Sequence, residues 1–162
     1  YGEKQDIETA EKHLRTAADI YDNRRAQEVL YKLYADNNNL TLEKHYLTLL
    51  ADENHLESFV LLGNIFSNEK NYNLAYTNYT HFFEGKKRSN AKVDMKKIDE
   101  EKLKFNFGKC CIKLGKFEDA ERNLKDNSYL KVSDNVIEVA KLYEEAEQLK
   151  IAIQYYKSAL HV

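Results

Sequence analysis

The chain of 162 residues has no proline and no tryptophan, and it holds only two cysteines and five glycines. At an average usage of about 5%, a chain of this length would hold roughly eight prolines. Their absence argues against proline-rich linkers and against the turn-dense designs of all-β proteins. Helix is the structure that this composition favours.

The chain also lacks an excess of charge of one sign. Its 25 lysines and arginines nearly balance 27 acidic residues, and the formal net charge is −2. No global positive field is present to hold a phosphate backbone, so we expect no nucleic acid as the main ligand. No apolar run approaches the roughly 18 residues of a membrane span, and we expect none.

The two cysteines, Cys110 and Cys111, are adjacent in the sequence. Neighbours on a helix point about 100° apart, so these two residues cannot form an ordinary disulfide with each other. We interpret them as packing residues in a reducing compartment, which predicts a cytoplasmic protein. The short basic run Lys86-Lys87-Arg88 leaves the nucleus as an alternative.

A pattern of apolar and small residues recurs along the chain. Its central position is occupied by Ala10, Glu43, Ala75, Ala120 and Ala152, at steps of 33, 32, 45 and 32 residues. A second helical pattern precedes each of the last four stretches, which predicts two helices in each unit. Only Glu43 is not a small residue.

The unit around residues 59–79 carries the pattern most fully. Its bulky, small and aromatic positions are Phe59, Leu62, Gly63, Phe66, Tyr72, Ala75 and Tyr79, and the last unit supplies Val136, Val139, Ala140, Tyr143, Ala152, Tyr156, Ala159 and Leu160. The pattern resembles the tetratricopeptide repeat (TPR) family, although no unit has the usual proline after its second helix. The resemblance implies an all-α, right-handed α-solenoid, or superhelix, of helix-turn-helix repeats. The alternative is an ordinary amphipathic helical bundle.

Close approach of the two helices in a unit explains why small residues recur. We expect Gly63, Gly108 and Ala140 to permit this approach. The facing positions are those of Ala75, Ala120 and Ala152.

The spacing predicts one TPR-like array over residues 1–162. Its parts are the second helix of a truncated repeat at 1–23, repeats at 24–55 and 56–85, a basic insertion at 86–100, and repeats at 101–132 and 133–162.

Residues for catalysis or metal binding are not apparent. None of the five histidines stands at metal-ligand spacing from another His, Cys or Glu, and no phosphate-binding glycine loop or nucleophile motif is present. We therefore predict no cofactor, no metal and no enzymatic activity.

The TPR resemblance implies that places 2, 5, 9 and 12 of each repeat line a concave groove. Val60, Phe105 and Ile137 occupy the same place in successive repeats, and Asn64, Lys109 and Lys141 are polar neighbours. Apolar anchors flanked by polar groups are typical of surfaces that bind an extended peptide or a helix. The alternative is that these side chains pack against neighbouring helices of the array.

These patterns predict a non-catalytic scaffold that binds another protein. A second hypothesis is self-association, because bare apolar ends of the solenoid would pair two copies or dock a missing flank; the residues concerned are Ile7, Leu14, Ile153 and Leu160. A third is a regulatory TPR domain within an enzyme chain.

Overall fold

The computed structural model describes residues 2–52, 55–89 and 98–162. Within these ranges the backbone forms nine α-helices and one short 3-10 helix, Ser128–Lys131, and no strand. The α-helices are α1 (Gly2–Ile20), α2 (Arg24–Asp36), α3 (Leu40–Asp52), α4 (Leu56–Asn68), α5 (Tyr72–Arg88), α6 (Glu100–Lys113), α7 (Phe117–Leu124), α8 (Ser133–Glu145) and α9 (Leu149–Ala159). The prediction of an all-α protein is confirmed.

The chain divides into two compact units, residues 1–62 and 63–162, and the division falls within α4. In the first unit, α2 packs against both α1 and α3. The rings of Tyr34 and Tyr46 stack there at 5.8 Å, beside the fully buried Leu30 and Leu47. This unit holds its own apolar core.

In the second unit, α6 pairs with α7 and α8 pairs with α9. Helix α5 packs on α6, while the 3-10 helix packs on both α6 and α8. The core is rich in aromatic rings, and the ring of Phe107 lies 5.3–5.8 Å from those of Tyr76, Tyr79 and Phe83. Because α6 and α8 also contact each other, they form a two-helix layer in this unit.

One turn geometry joins four pairs of consecutive helices. The middle residue of each three-residue turn has a positive φ: Asn38 (55°), Lys70 (60°), Gly115 (70°) and Glu147 (60°). The next N–H donates to the carbonyl five positions earlier over 2.8–2.9 Å, in the pairs Asn39–Tyr34, Asn71–Phe66, Lys116–Cys111 and Gln148–Tyr143. This is the hydrogen bond that closes a helix C-terminus through a left-handed residue. The turns recur at steps of 32, 45 and 32 residues, as the small residues do.

Two glycines lie where helices approach closely, as predicted. A Cβ added to Gly63 would stand 2.5 Å from Cε1 of Tyr79, and one added to Gly108 would stand 2.6 Å from Cγ of Leu124. Ala75 and Ala120 are fully buried. Glu43, at the corresponding position of α3, is half-buried, and burial raises the pKa of its carboxyl group.

The predicted repeats at 24–55, 56–85, 101–132 and 133–162 each coincide with two consecutive helices, although α5 continues to Arg88, into the predicted insertion at 86–100. Most of that insertion, residues 90–97, lies outside the described residues. At its edges Lys86 forms an ion pair with Glu100 at 2.5 Å. Among the helices that the structure describes, none combines the length and apolar character needed to cross a bilayer.

Candidate functional site

The layer of α6 and α8 presents two matching rows of polar side chains. The rows are Lys102, Asn106, Lys109 and Lys113 on α6, and Asp134, Glu138, Lys141 and Glu145 on α8. Each row follows the spacing i, i+4, i+7, i+11, which places its members on one face of a helix. We call these eight residues the polar face.

Helix α6 begins where the sequence provides a cap. The side chain of Asp99 accepts a hydrogen bond from the Lys102 N–H at 3.0 Å, and Glu100 and Glu101 occupy the first turn. Negative charge at this end and Lys113 in the last turn complement the helix dipole. The local sequence therefore fixes where the α6 row starts and ends.

Two ion pairs join the rows. Nζ of Lys109 donates to Oε1 of Glu138 at 2.9 Å, and Nζ of Lys113 donates to Oε2 of Glu145 at 2.5 Å. The second pair lowers the pKa of the Glu145 carboxyl group, chiefly through the Lys113 hydrogen bond. Such exposed pairs contribute only about 0.2–1 kcal/mol each to stability, so the packing of α6 on α8, and not the pairs, positions the two rows. Lys102 and Lys141 are exposed cations of the same face.

Phe105 does not lie open on this face. Its side chain is 4% exposed, and its ring stacks on Tyr129 at 5.6 Å. Nζ of Lys109 stands 4.7 Å from the ring centroid. Phe105 thus packs between α6 and the 3-10 helix, which corrects the expectation of an open aromatic anchor and favours the alternative of a packing residue.

The structure also corrects the places that were expected to line a groove. Place 12 of the same predicted repeat, Ile112, is 1% exposed, while Glu144 of the next repeat accepts a hydrogen bond from the Tyr156 hydroxyl at 2.7 Å. Places 5 and 12 turn towards the neighbouring helices, and places 6 and 13 lie on the polar face with places 2 and 9. Two of the four places expected to be exposed, 5 and 12, were therefore assigned one residue too early in the repeat.

The two asparagines come together beside this layer. Nδ2 of Asn106 lies 3.5 Å from Oδ1 of Asn64, which accepts a hydrogen bond from the Tyr79 hydroxyl at 2.7 Å. Asn64 is therefore held by the core as well as by α6. Its position links the C-terminal part of α4 to the polar face.

Five of the six predicted partner-binding residues belong to the second unit, and these five differ in exposure. Lys109 and Lys141 lie on the polar face, with Asn64 at its edge, and Ile137 is half-buried on α8. Val60 belongs to the first unit and is 9% exposed. Binding by these residues stays a prediction. Lys113 and Glu145 were not identified from the sequence. Their helical spacing, four residues after Lys109 and seven after Glu138, and their opposite charges could have indicated a second pair.

The cysteine thiols are packing groups, as predicted from their position. Cys110 is 1% exposed and Cys111 is fully buried. Burial raises the pKa of the Cys110 thiol to about 11 and that of Cys111 to about 12. Both thiols are protonated at neutral pH, and a protonated, buried thiol is a poor nucleophile.

Within residues 2–52, 55–89 and 98–162, no three His, Cys, Asp or Glu side chains converge as a metal site would require. Comparison with known proteins adds no assignment. The chain matches no protein-family profile, and no curated protein or solved structure shows significant similarity to it.

Proposed function

We propose that this chain is a non-catalytic module that binds a segment of another protein, an extended peptide or a helix, on the polar face. The single observation that carries the proposal is the side-by-side arrangement of α6 and α8, two first helices of consecutive hairpins, with their exposed charges in register. An open face built from two helices suits recognition of a polypeptide segment better than enclosure of a small molecule.

The fourfold recurrence of one turn supports the finer architecture. All four hairpins share the turn, and three of them have an alanine at the same place in the second helix, where the first has Glu43. Two of the three steps between turns are 32 residues, so the pattern is close to what TPR-like repeats would display. On this proposal the hairpins stack as a right-handed solenoid, and first helices of consecutive repeats line its binding surface.

Charge gives the binding face its selectivity. Lys109 and Lys113 are neutralised by their glutamate partners on α8. Lys102, Lys141 and Asp134 are exposed without an ion pair among the described residues, so the unpaired charge of this face is two cations against one carboxylate. Unpaired cations accelerate encounter with an acidic partner and discriminate against a basic one. The proposed partner segment therefore carries carboxylates spaced to meet these two lysines.

Charge reversal tests the proposal. The double variant Lys102→Glu/Lys141→Glu should lose a partner that the wild-type chain retains in affinity purification from its source cells, because attraction becomes repulsion at both positions. The control is Lys12→Glu/Lys150→Glu, which changes the net charge equally at exposed lysines of α1 and α9. Equal retention of the partner by both double variants would contradict binding on the polar face.

Self-association is a second candidate because α9 exposes a stripe of apolar residues. Leu149, Ile153 and Leu160 are 59%, 52% and 82% exposed, and Ile7 of α1 is 60% exposed. Single apolar side chains on a surface are common, but Leu149 and Ile153 lie one turn apart on α9, and Leu160 follows at the C-cap of this helix. Light scattering over a concentration series decides whether two copies associate, and Ile153→Glu should then return the dimer to a monomer.

A further inference from the structure

A groove lies between α7 and α9, the second helices of the last two hairpins. Its volume is about 420 Å³, within the range of about 300–1,000 Å³ that binding pockets occupy. Its lining residues are Phe117, Glu118 and Glu121 of α7, Tyr143 of α8, and Ile151, Gln154, Tyr155 and Ser158 of α9. None of them belongs to the polar face.

The floor of this groove is aromatic. Tyr143 is 2% exposed, and the ring of Tyr155 stacks on it at 5.5 Å with an interplanar angle of 19°. The ring of Phe117 lies 6.1 Å from Tyr143 on the α7 side. Phe117 and Tyr155 are half-buried, so part of each ring remains accessible. The negative faces of aromatic rings attract cations.

The rim of the groove carries negative charge. Glu118 and Glu121 are exposed, and neither carboxylate forms an ion pair with any residue that the structure describes. The neighbouring Arg122 is engaged instead by Asp119, at 3.1 Å. Burial, followed by the nearby Glu121 carboxylate, raises the pKa of the Tyr155 phenol.

One side-chain chemistry complements this combination. A guanidinium group is planar, stacks on aromatic faces, pairs with carboxylates through a fork of N–H donors and is weakly hydrated. Apolar residues beside it would cover Phe117 and Ile151. We propose that the groove between α7 and α9 docks an arginine of a partner's peptide segment, with the guanidinium between Glu118 and Glu121 and the flanking apolar side chains on Phe117, Ile151 and Tyr155.

A short peptide provides a direct test on the whole chain. The probe is acetyl-Ala-Leu-Arg-Leu-Ala-amide, titrated into labelled protein and followed by changes in backbone NMR signals. The proposal expects the changes to centre on α7 and α9. A matched peptide with citrulline in place of arginine, which keeps the shape and removes the charge, should bind at least about fivefold more weakly, since both the carboxylate and the aromatic contacts lose their cation.

Variants locate the interaction. Glu118→Gln/Glu121→Gln should weaken the arginine peptide about fivefold or more and leave the citrulline peptide unchanged. Glu8→Gln/Glu84→Gln, at exposed glutamates of α1 and α5, removes the same charge; it is the matched control and should bind as the wild type does. These glutamates are exposed, so helical circular dichroism should be unaltered in all three proteins.

Three results would overturn the inference. The first is equal affinity for the arginine and citrulline peptides. The second is NMR signal changes centred on α6 and α8, and the third is an affinity for the corresponding lysine peptide equal to that for the arginine peptide. The variant Lys102→Glu/Lys141→Glu should bind the arginine peptide normally, so failure here and failure of the polar face as a binding surface are separate outcomes.

Discussion

Individual small residues set how closely the helices pack. Gly108 is buried against Leu124. The nearest atom is Cγ, which is in the middle of the leucine side chain and cannot move aside as a flexible chain end could. The sequence predicted this role for Gly63 and Gly108, because a small residue at a fixed helical offset indicates a close crossing. The burial of Phe105 could not be predicted in the same way, because its ring is covered by Tyr129. Tyr129 follows 24 residues later, in a segment whose sequence has no helical periodicity.

Replacing Gly108 by alanine should destabilise the protein. The added Cβ would stand 2.6 Å from Leu124, and such overpacking costs about 1–3 kcal/mol, of which about 1 kcal/mol is regained from the better helix propensity of alanine. Urea unfolding followed by circular dichroism measures the difference. The control is Gly2→Ala in α1, where a Cβ would meet nothing within 4 Å. A Gly108→Ala protein as stable as the Gly2→Ala protein would contradict the packing of α6 on α7.

A single histidine should make the first unit sensitive to mild acid. Nδ1 of His55 lies 2.7 Å from the Ser58 hydroxyl, and Nε2 is 3.8 Å from Glu28. Burial, and then the Arg24 charge, lower the pKa of His55 despite Glu28. The unfolded chain therefore takes up a proton at a higher pH than the folded protein. Stability is lost as the pH falls through about 6.5 towards the folded pKa.

The melting temperature at pH 7.5 and at pH 5.5 measures this effect, in a window above the ordinary titration of carboxylates. The fall between these values should be smaller in His55→Asn than in the wild type. Asparagine keeps a polar side chain before the first turn of α4. An identical fall in both proteins would show that His55 does not titrate with a lowered pKa.

At the scale of the helices, the connections are more regular than the sequence suggests. Of the four residues with positive φ in the shared turn, only Gly115 is a glycine, while the others are Asn38, Lys70 and Glu147. Sequence periodicity predicted the helices themselves, because buried small and aromatic residues recur at helical spacing. It did not predict which face of α6 is exposed, because apolar residues at places 5 and 12 are compatible with a binding groove and with a core.

Substitutions at these turns should have opposite effects. A Cβ at Gly115 would meet nothing within 4 Å, so Gly115→Ala carries only the cost of its left-handed φ, about 1–2 kcal/mol. Lys70→Gly removes the same kind of strain and should stabilise the protein by up to about 1 kcal/mol, reduced by the greater freedom of glycine when unfolded. Thermal unfolding of both variants provides the comparison. A shift of the same sign in both would contradict a shared turn.

At the scale of the whole molecule, the lack of proline argued against an all-β protein, and no apolar run was long enough to span a membrane. Among the residues that the structure describes, it shows neither a strand nor a bilayer-crossing helix. The binding surface could not be located from the sequence, because its position depends on which face each helix exposes and on contacts between helices that are distant in sequence. Lys109 and Glu138 are 29 positions apart, yet their side chains pair across the polar face. No single helix encodes that register, so it becomes visible only when α6 and α8 are placed together.

The most direct test of the central proposal, that the polar face binds a protein segment, is lysine footprinting. The chain would be acetylated with and without the partner that affinity purification retains, and the modification of each lysine would be quantified by mass spectrometry. The account predicts that partner binding protects Lys102 and Lys141 and leaves Lys12 and Lys150 as reactive as in the free protein. Unchanged reactivity of Lys102 and Lys141 in a saturated complex would contradict it.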